Sequence, residues 1–169
     1  PIPPNTCLIP SPLRDNPSLT DISALSGLRV VNGPFYITNN QSLDNLEGLG
    51  GLQYVALLLS LEDNNALVSL DGLIDGRERF DGSLILDHND KLRDLSALSN
   101  LKKIGILGIK NSAALESLEA LGSLEHVGGT FSIVNNDRIT GLNLGRLETV
   151  RGEMIIRDND ALTDLDGLS

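Results

Sequence analysis

The sequence has no tryptophan, a single cysteine and no long apolar run. Aromatic residues are 3% of the 169, so the large stacking surfaces that dominate many binding hot spots are scarce. Cys7 has no second cysteine with which to form an internal disulfide. No apolar run approaches the ~18 residues of a spanning helix, so direct membrane insertion is not expected. The first residues, Pro1 to Pro4, also lack the charged start and apolar stretch of a signal peptide.

Basic residues are outnumbered by acidic ones. Lys and Arg total 13, Asp and Glu total 23, the net charge is −10 and the pI is about 4.5. Nucleic acid is therefore not an expected partner, since its binding depends on phosphate neutralisation by Lys and Arg. An anionic membrane surface is disfavoured for the same reason.

Motifs of catalysis and cofactor binding are also missing. The sequence contains no Walker loop, no HExxH, no cysteine cluster and no glycine-rich phosphate loop. His88 and His126, the two histidines, lie a coil or more apart, and neither is placed near a serine or cysteine nucleophile. We therefore predict a protein that is not an enzyme and that binds no cofactor or metal.

What the sequence does contain is a repeat, seen most clearly from Val127 to Leu142. A β-branched residue and a glycine turn lead into a short alternating strand, then an asparagine, then leucines at intervals of three. The asparagine positions are spaced by 24, 24, 25, 23, 24 and 23 residues, and a fixed period in the twenties is typical of a solenoid. We call these positions the ladder; they are Asn16, Asn40, Asn64, Asn89, Ser112, Asn136 and Asn159.

The positions flanking the ladder are uniformly apolar. From Asn40 onward, the residues five and three positions before each ladder residue are hydrophobic, and so is the residue three positions after every ladder residue, in a chain that is 40% hydrophobic overall. Phe131 and Ile133, for example, alternate with Ser132 and Val134, which is the period of a strand with one buried face. The sequence predicts stacked coils whose strands form one parallel sheet.

The asparagine suits a buried corner because its amide both donates and accepts hydrogen bonds. It can satisfy backbone groups that the sheet leaves unpaired. Ser112 departs from the pattern, and we expect weaker hydrogen bonding at this ladder position. Asn40-Gln41-Ser42 is a glycosylation sequon, but Asn40 is a ladder residue, so we predict that it points inward and is unmodified.

The length suits one domain with a continuous core, preceded by a short N-terminal segment. Residues 1–15 hold five of the seven prolines, and we expect either a cap without strand pairing over the first coil or a disordered tail. Cys7, within it, is a buried small side chain or pairs outside the chain. Residues 16–169 form the solenoid. Residues 74–82 interrupt the third coil and are predicted to form a charged loop, or a docking element. The last coil is incomplete, and we expect the next coil to be missing from this piece or supplied by another chain.

The consensus of the repeat, L-x-x-L-x-x-L-x-x-L-x-x-V-x-G-x-L-x-I-x-x-N, resembles the receptor L-domain branch of the leucine-rich-repeat superfamily. Residues 115–136, LESLEALGSLEHVGGTFSIVNN, match it almost position by position. The resemblance implies a right-handed solenoid of about six to seven coils of 23–25 residues, in an extracellular or cell-surface protein. The sequence lacks the cysteine-rich segments that adjoin this module in the animal receptors, so the resemblance does not imply growth-factor binding.

Outward strand residues form columns across the coils, and these are the predicted ligand-binding surface. The candidate residues are Tyr36, Thr38, Glu62, Asp87, Lys110 and Arg157. Asp87 and Lys110 are expected to form a surface ion pair. An alternative is a site for a hard cation or a basic ligand at Glu62, Asp63 and Asp87, with His88 beside it, since oxygen ligands suit calcium.

A second surface is acidic. Carboxylates recur four to seven residues after the ladder, and on stacked coils they form a flank that is either a solvated face or a docking strip for a basic partner. Its members are Asp21, Asp44, Glu47, Asp71, Asp94, Glu116, Glu119, Asp164 and Asp166.

Two functions fit these features. The first is a recognition module that binds a protein or glycan through the strand face or the acidic flank. The second is a structural subunit that packs through its repeat ends in a larger assembly. Leucine-rich repeats serve many partners, so the fold does not choose between them.

Overall fold

A computed structural model shows a parallel β-solenoid of about six coils with little helix, which confirms the predicted fold class. The structure describes residues 6–7, 12–74 and 76–168, and of residues 6–7 the backbone alone. In this part of the chain the strands are β1 (Thr6–Cys7), β2 (Pro12–Arg14), β3 (Val30–Val31), β4 (Phe35–Thr38), β5 (Tyr54–Val55), β6 (Leu58–Glu62), β7 (Arg79–Asp87), β8 (Lys103–Lys110), β9 (His126–Val127), β10 (Phe131–Val134), β11 (Thr149–Val150) and β12 (Met154–Arg157).

The strands form two sheets, one long and one short. The long sheet follows the solenoid axis in the order β2, β4, β6, β7, β8, β10 and β12, and β9 and β11 extend it from the first residues of β8. The short sheet is β1, β3 and β5. Short 3₁₀ helices occupy the opposite side of the coils, at Ser23–Leu25, Glu47–Leu49, Ser96–Leu98 and Glu119–Leu121.

The strands pair in the register that stacks equivalent positions. Phe35 pairs with Leu59, Leu59 with Leu84, and the same row continues through Leu107, Phe131 and Met154. Side chains of this row are buried from Phe35 to Phe131, because a β-strand turns alternate residues to one side. Met154, on the last strand described, is 40% exposed.

The leucines that recur every third residue line the rest of the core, because the backbone between the strands has about three residues per turn. The N–H of Leu43 donates to the Asn40 carbonyl (3.0 Å), Leu49 to Leu46 (2.8 Å) and Leu52 to Leu49 (2.8 Å). These are the i to i+3 bonds of a 3₁₀ helix, in which every third side chain lies on the same face. Leu43, Leu46, Leu49 and Leu52 are accordingly fully buried.

The asparagines connect successive coils through their side-chain amides. Asn64 Nδ2 donates to the Ile37 carbonyl of the previous coil (2.8 Å) and to the Glu62 carbonyl of its own coil (3.0 Å). Its Oδ1 accepts the backbone N–H of Asn40 (3.1 Å). Asn89, Asn136 and Asn159 donate to the equivalent carbonyls. Each amide therefore satisfies buried backbone groups of two coils at once.

Ser112 keeps only part of this arrangement. Its hydroxyl donates to the Lys110 carbonyl (3.2 Å), which is the bond within its own coil. A hydroxyl has one donor where an amide has two, so the bond to the previous coil has no counterpart here. The backbone N–H of Ser112 still donates to Asn136 Oδ1 (3.0 Å).

The predicted loop at 74–82 is wrong in its second half. Arg79 to Gly82 belong to β7, because Phe80 supplies the buried side chain that valine supplies in other coils and pairs with Ile104. Ile74 is also buried, at 1% exposure, and compensates for the leucine that this coil lacks. Its φ of 47° is a strained conformation for a β-branched residue.

The N-terminal segment contributes strands, contrary to the expectation of a cap without strand pairing. β1 pairs with β3 and β2 with β4, both parallel. The proline-rich stretches at 1–5 and 8–11 and the side chain of Cys7 lie outside the described residues, so the cap and the role of Cys7 stay predictions.

Replacing Asn64 with alanine should lower the free energy of unfolding by about 3 kcal/mol, because it removes the side-chain donor to the buried Ile37 carbonyl and the acceptor of the buried Asn40 N–H. Urea denaturation followed by circular dichroism measures the change. Asn100→Ala is the matched control, since Asn100 is exposed, and it should change stability by less than about 0.5 kcal/mol. Equal effects of the two substitutions would contradict the role assigned to the ladder.

Candidate functional site

The candidate site is the outward side of the long sheet, here called the strand face. It consists of two rows of side chains in register across β4, β6, β7, β8, β10 and β12. The first row is Tyr36, Ser60, Ile85, Gly108, Ser132 and Ile155. The second row is Thr38, Glu62, Asp87, Lys110, Val134 and Arg157.

Five of the six residues predicted to bind a ligand lie in the second row. Four of them, from Thr38 to Lys110, are on adjacent strands, and Val134 separates them from Arg157. Tyr36 is in the first row on β4. The register thus brings Glu62, Asp87 and Lys110 together and leaves Arg157 at the far end of the face.

The centre of the first row is flat. Ser60 and Ser132 are 0% and 5% exposed although their side chains point outward. Larger neighbours cover them: a Cβ built on Gly108 would lie 2.8 Å from Cδ1 of Ile85 and 3.1 Å from the Ser132 hydroxyl. Ile85 therefore lies over Gly108, which is buried.

The carboxylates of the strand face have partners other than those expected. The Ser60 hydroxyl donates to Glu62. Asp87 Oδ1 accepts from Asn111 Nδ2 (2.6 Å) and lies 2.8 Å from His88 Nδ1. The predicted ion pair between Asp87 and Lys110 is wrong. The Asp87 carboxylate bonds to Asn111 and lies beside His88 instead, and it forms no ion pair with the Lys110 ammonium group.

The alternative of a hard-cation site is also wrong for Glu62, Asp63, Asp87 and His88. Across the described residues, no three His, Cys, Asp or Glu side chains come together in an arrangement that could hold a metal ion. The carboxylates of Glu62 and Asp87 are instead turned toward hydroxyl and amide donors of the strand face.

The two cations of the second row differ. Arg157 is paired with Asp158, its neighbour in the chain (2.6 Å). Lys110 has no ion pair with a carboxylate of the described residues. The aliphatic part of the Lys110 side chain packs beside Gly108, since a Cβ built on Gly108 would lie 3.7 Å from Cε of Lys110. Lys110 is thus a cation at the middle of the face that is available to a partner.

Arg14 is a residue of this face that the sequence analysis missed. Its guanidinium lies 5.8 Å from the centroid of the Tyr36 ring, which is a cation–π distance. Arg14 stands two residues before Asn16, as Thr38 stands two residues before Asn40, so the ladder spacing was the signal that could have found it. The pairing of β2 with β4 sets Arg14 opposite Thr38.

A further row, immediately before the ladder, was also missed. These residues have positive φ values between 49° and 60° and are Asp15, Asn39, Asp63, His88, Asn111, Asn135 and Asp158. Asn, Asp and His are the residue types that best tolerate this left-handed conformation. The signal in the sequence is the dipeptide of one such residue followed by the ladder asparagine.

The acidic flank lies beside the 3₁₀ turns, and part of it stabilises them. Oδ1 of Asp21 accepts the Ser23 N–H (2.7 Å), and Asp94 and Asp164 accept the equivalent N–H groups of Ser96 and Asp166 (2.8 and 3.0 Å). The bonds to Asp21 from the backbone and then the hydroxyl of Ser23 lower the pKa of its carboxyl. These acids act as local caps for free N–H groups.

Asn40 lies at the edge of the strand face but is 0% exposed. Its Nδ2 donates to the carbonyls of Leu13 (2.9 Å) and Thr38 (3.2 Å). A glycan on this nitrogen would have to break both bonds and open the corner of the coil.

This geometry defines a class: a repeat protein whose stacked coils form one long parallel sheet. The receptor L-domain family model, described as Receptor L domain, matches residues 78–167, which is more than half of the chain. The chain belongs to the Receptor L domain family, and the predicted resemblance is confirmed. Receptor L domains take part in ligand binding within larger receptors.

Two other comparisons complete these findings. The search of curated proteins and the search of solved structures each found no match to the chain. Within the described residues, no helix has the length and apolarity needed to cross a bilayer.

We expect Asn40 to remain unmodified when the protein is secreted from a eukaryotic host, because the folded coil buries its amide. Mass spectrometry of the peptide that contains Asn40 measures occupancy. Substituting Lys102 with Thr adds a sequon at the exposed Asn100 and provides a positive control for the host. A glycan on most copies of Asn40 would contradict the buried placement.

Proposed function

We propose that this chain is an extracellular or cell-surface recognition module that binds a protein partner through the strand face. The family supports a ligand-binding role in general terms. The observation that carries the choice of surface is the composition of the strand face: a flat apolar centre with charges at its edge.

The centre and edge correspond to the two parts of a protein interface. Ile85 is apolar and lies over Gly108 of the first row, and Val134 is an apolar residue of the second row. Glu62, Asp87 and Lys110 follow one another along the second row and carry both signs of charge. Protein interfaces commonly combine an apolar core with such a polar rim.

The dimensions also favour a protein over a glycan. Six strands at roughly 4.8 Å spacing extend for about 24 Å, with no deep cleft along the rows. Tyr36 is the one aromatic residue of the two rows, and Arg14 covers its ring. A sugar would therefore find no free stacking platform, whereas a flat protein surface could contact several strands.

The acidic flank is less suited to be the main surface. Asp21, Asp94 and Asp164 already accept backbone N–H groups, and Glu116 is paired with Arg138 (2.5 Å). A basic partner would compete with these bonds. The flank supports solubility and steering of the partner.

A double substitution in the strand face tests the proposal. Ile85→Lys with Lys110→Glu should weaken binding of the native partner at least about tenfold, because it charges the centre and reverses the unpaired cation. The partner is first captured from extracellular material of the native source with the unmodified chain. Affinity is then measured by surface plasmon resonance.

Val68→Lys with Lys91→Glu is the matched control for this test. It makes the same chemical changes outside the strand face, at positions that are half-buried and exposed. Binding by the control should stay within about twofold of the unmodified chain. Equal loss in both variants, or no loss in either, would rule out the strand face as the binding surface.

A second candidate is a structural subunit that packs through the end of its sheet. β12 pairs with β10 on one side, and Met154, whose equivalent Phe131 is fully buried, is 40% exposed. An apolar edge strand of this kind is a template for pairing with another chain.

Light scattering at increasing concentration distinguishes this second candidate. Packing through β12 predicts a mass that rises with concentration, and Met154→Lys should abolish the rise. Leu57→Lys is the control, because Leu57 is 62% exposed and lies away from β12. A monomer at every concentration would contradict the structural role.

A further inference from the structure

A groove lies apart from the strand face, where the short strands bend into the long ones. It has a volume of about 570 Å³ and is lined by residues of β7, β8, β9 and β11 and of the turns after the last two. Arg79, Lys103, His126 and Arg151 line it together with Asp81 and Gly128. Pockets of roughly 300–1,000 Å³ are the usual size for small ligands.

The register of the strands explains why basic side chains meet here. Arg79 pairs with Lys103, Lys103 with His126, and His126 with Thr149. The residue after each basic side chain of the row is buried in the core; these are Phe80, Ile104 and Val127. Alternation along a strand therefore turns the basic row outward, with its members about 4.8 Å apart.

The row is confined to the later coils. The positions equivalent to Arg79 in the first two coils are Val30 and Tyr54, which carry no charge. The groove thus concentrates cations in one part of a chain whose net charge is −10.

Two of the cations have no partner within the groove. Arg79 is paired with Asp81, and His126 is oriented by Thr149, with 2.6 Å between Nδ1 and Oγ1. Lys103 and Arg151 form no ion pair with a carboxylate of the described residues. Like charges on adjacent strands destabilise a sheet, and a bound anion would offset this repulsion.

Two glycines line the groove. Gly128 is exposed, so no side chain covers the backbone there. At Gly105 a Cβ would lie 2.7 Å from the Gly82 carbonyl oxygen, so the backbone of the neighbouring strand packs directly against this glycine.

We propose that this groove binds a small ligand through a tetrahedral oxyanion, a phosphate or sulfate ester, held by Lys103 and Arg151 and contacted by His126. A tetrahedral oxyanion presents several acceptor oxygens, so it can accept charge-assisted hydrogen bonds from separate strands at once. The acidic remainder of the protein disfavours a long polyanion such as nucleic acid. This site is independent of the strand face.

Inorganic phosphate and inorganic sulfate are the probes. Binding is followed by two-dimensional NMR on the full chain at constant ionic strength, which removes general screening. The signals of His126, Lys103 and Arg151 should shift and saturate on the order of millimolar anion. The tighter of the two probes identifies the ester. Acetate binding as tightly as either one would overturn the assignment to a tetrahedral group, and so would the absence of saturable shifts.

Two pairs of variants test the residues. Lys103→Glu with Arg151→Glu should weaken binding at least about tenfold, whereas Lys91→Glu with Arg146→Glu, the same charge change at exposed positions elsewhere, should change it less than about twofold. Asp81→Asn should tighten binding by about threefold, because it frees Arg79, and Asp90→Asn is its control. Equal effects of variant and control in either pair would overturn the proposal. Circular dichroism verifies that each variant is folded.

Discussion

The hydrogen bonding of a buried amide between coils is the constraint on which this structure depends. Each coil must leave its strand through a corner from which water is excluded, and the backbone groups of that corner need partners. Asn64 supplies two donors and one acceptor there, shared between its own coil and the previous one. The coil length and the strand register follow, because the next asparagine must arrive at the same corner.

The inner and outer surfaces are consequently under different constraints. Inward rows repeat the same apolar residues, since each must pack on its equivalent in the next coil. Outward rows do not repeat: Thr38, Glu62, Asp87 and Lys110 are four different side chains in one row. A solenoid of this type can therefore have different outward side chains, and so a different surface, while its inward rows and its fold stay the same. The strand face and the basic groove are two such surfaces, on either side of the bend between strands.

Local geometry shaped these surfaces in ways that the rows alone did not reveal. Ser60 and Ser132 point outward and are nevertheless buried, which their positions in the row did not reveal. The carboxylate of Asp87 turned to Asn111 and His88 rather than to Lys110. Arg14, in the N-terminal segment, lies on the strand face opposite Thr38. The basic row of Arg79, Lys103 and His126 lies beside the glycine turns, a part of the coil that was predicted only to be a turn.

The repeat period and the apolar rows were determined by the sequence alone, and so was the family, since each is a pattern of residue types along the chain. Inward positions were predictable because burial tolerates few side chains. Tertiary structure alone decided which polar atoms pair. It also decided that Ile74 and Phe80 fill the core of the irregular third coil, and that Lys103, His126 and Arg151 line one groove. These depend on distances of a few tenths of an ångström between groups from different coils, and side-chain rotation at the surface is not encoded in the spacing of residues.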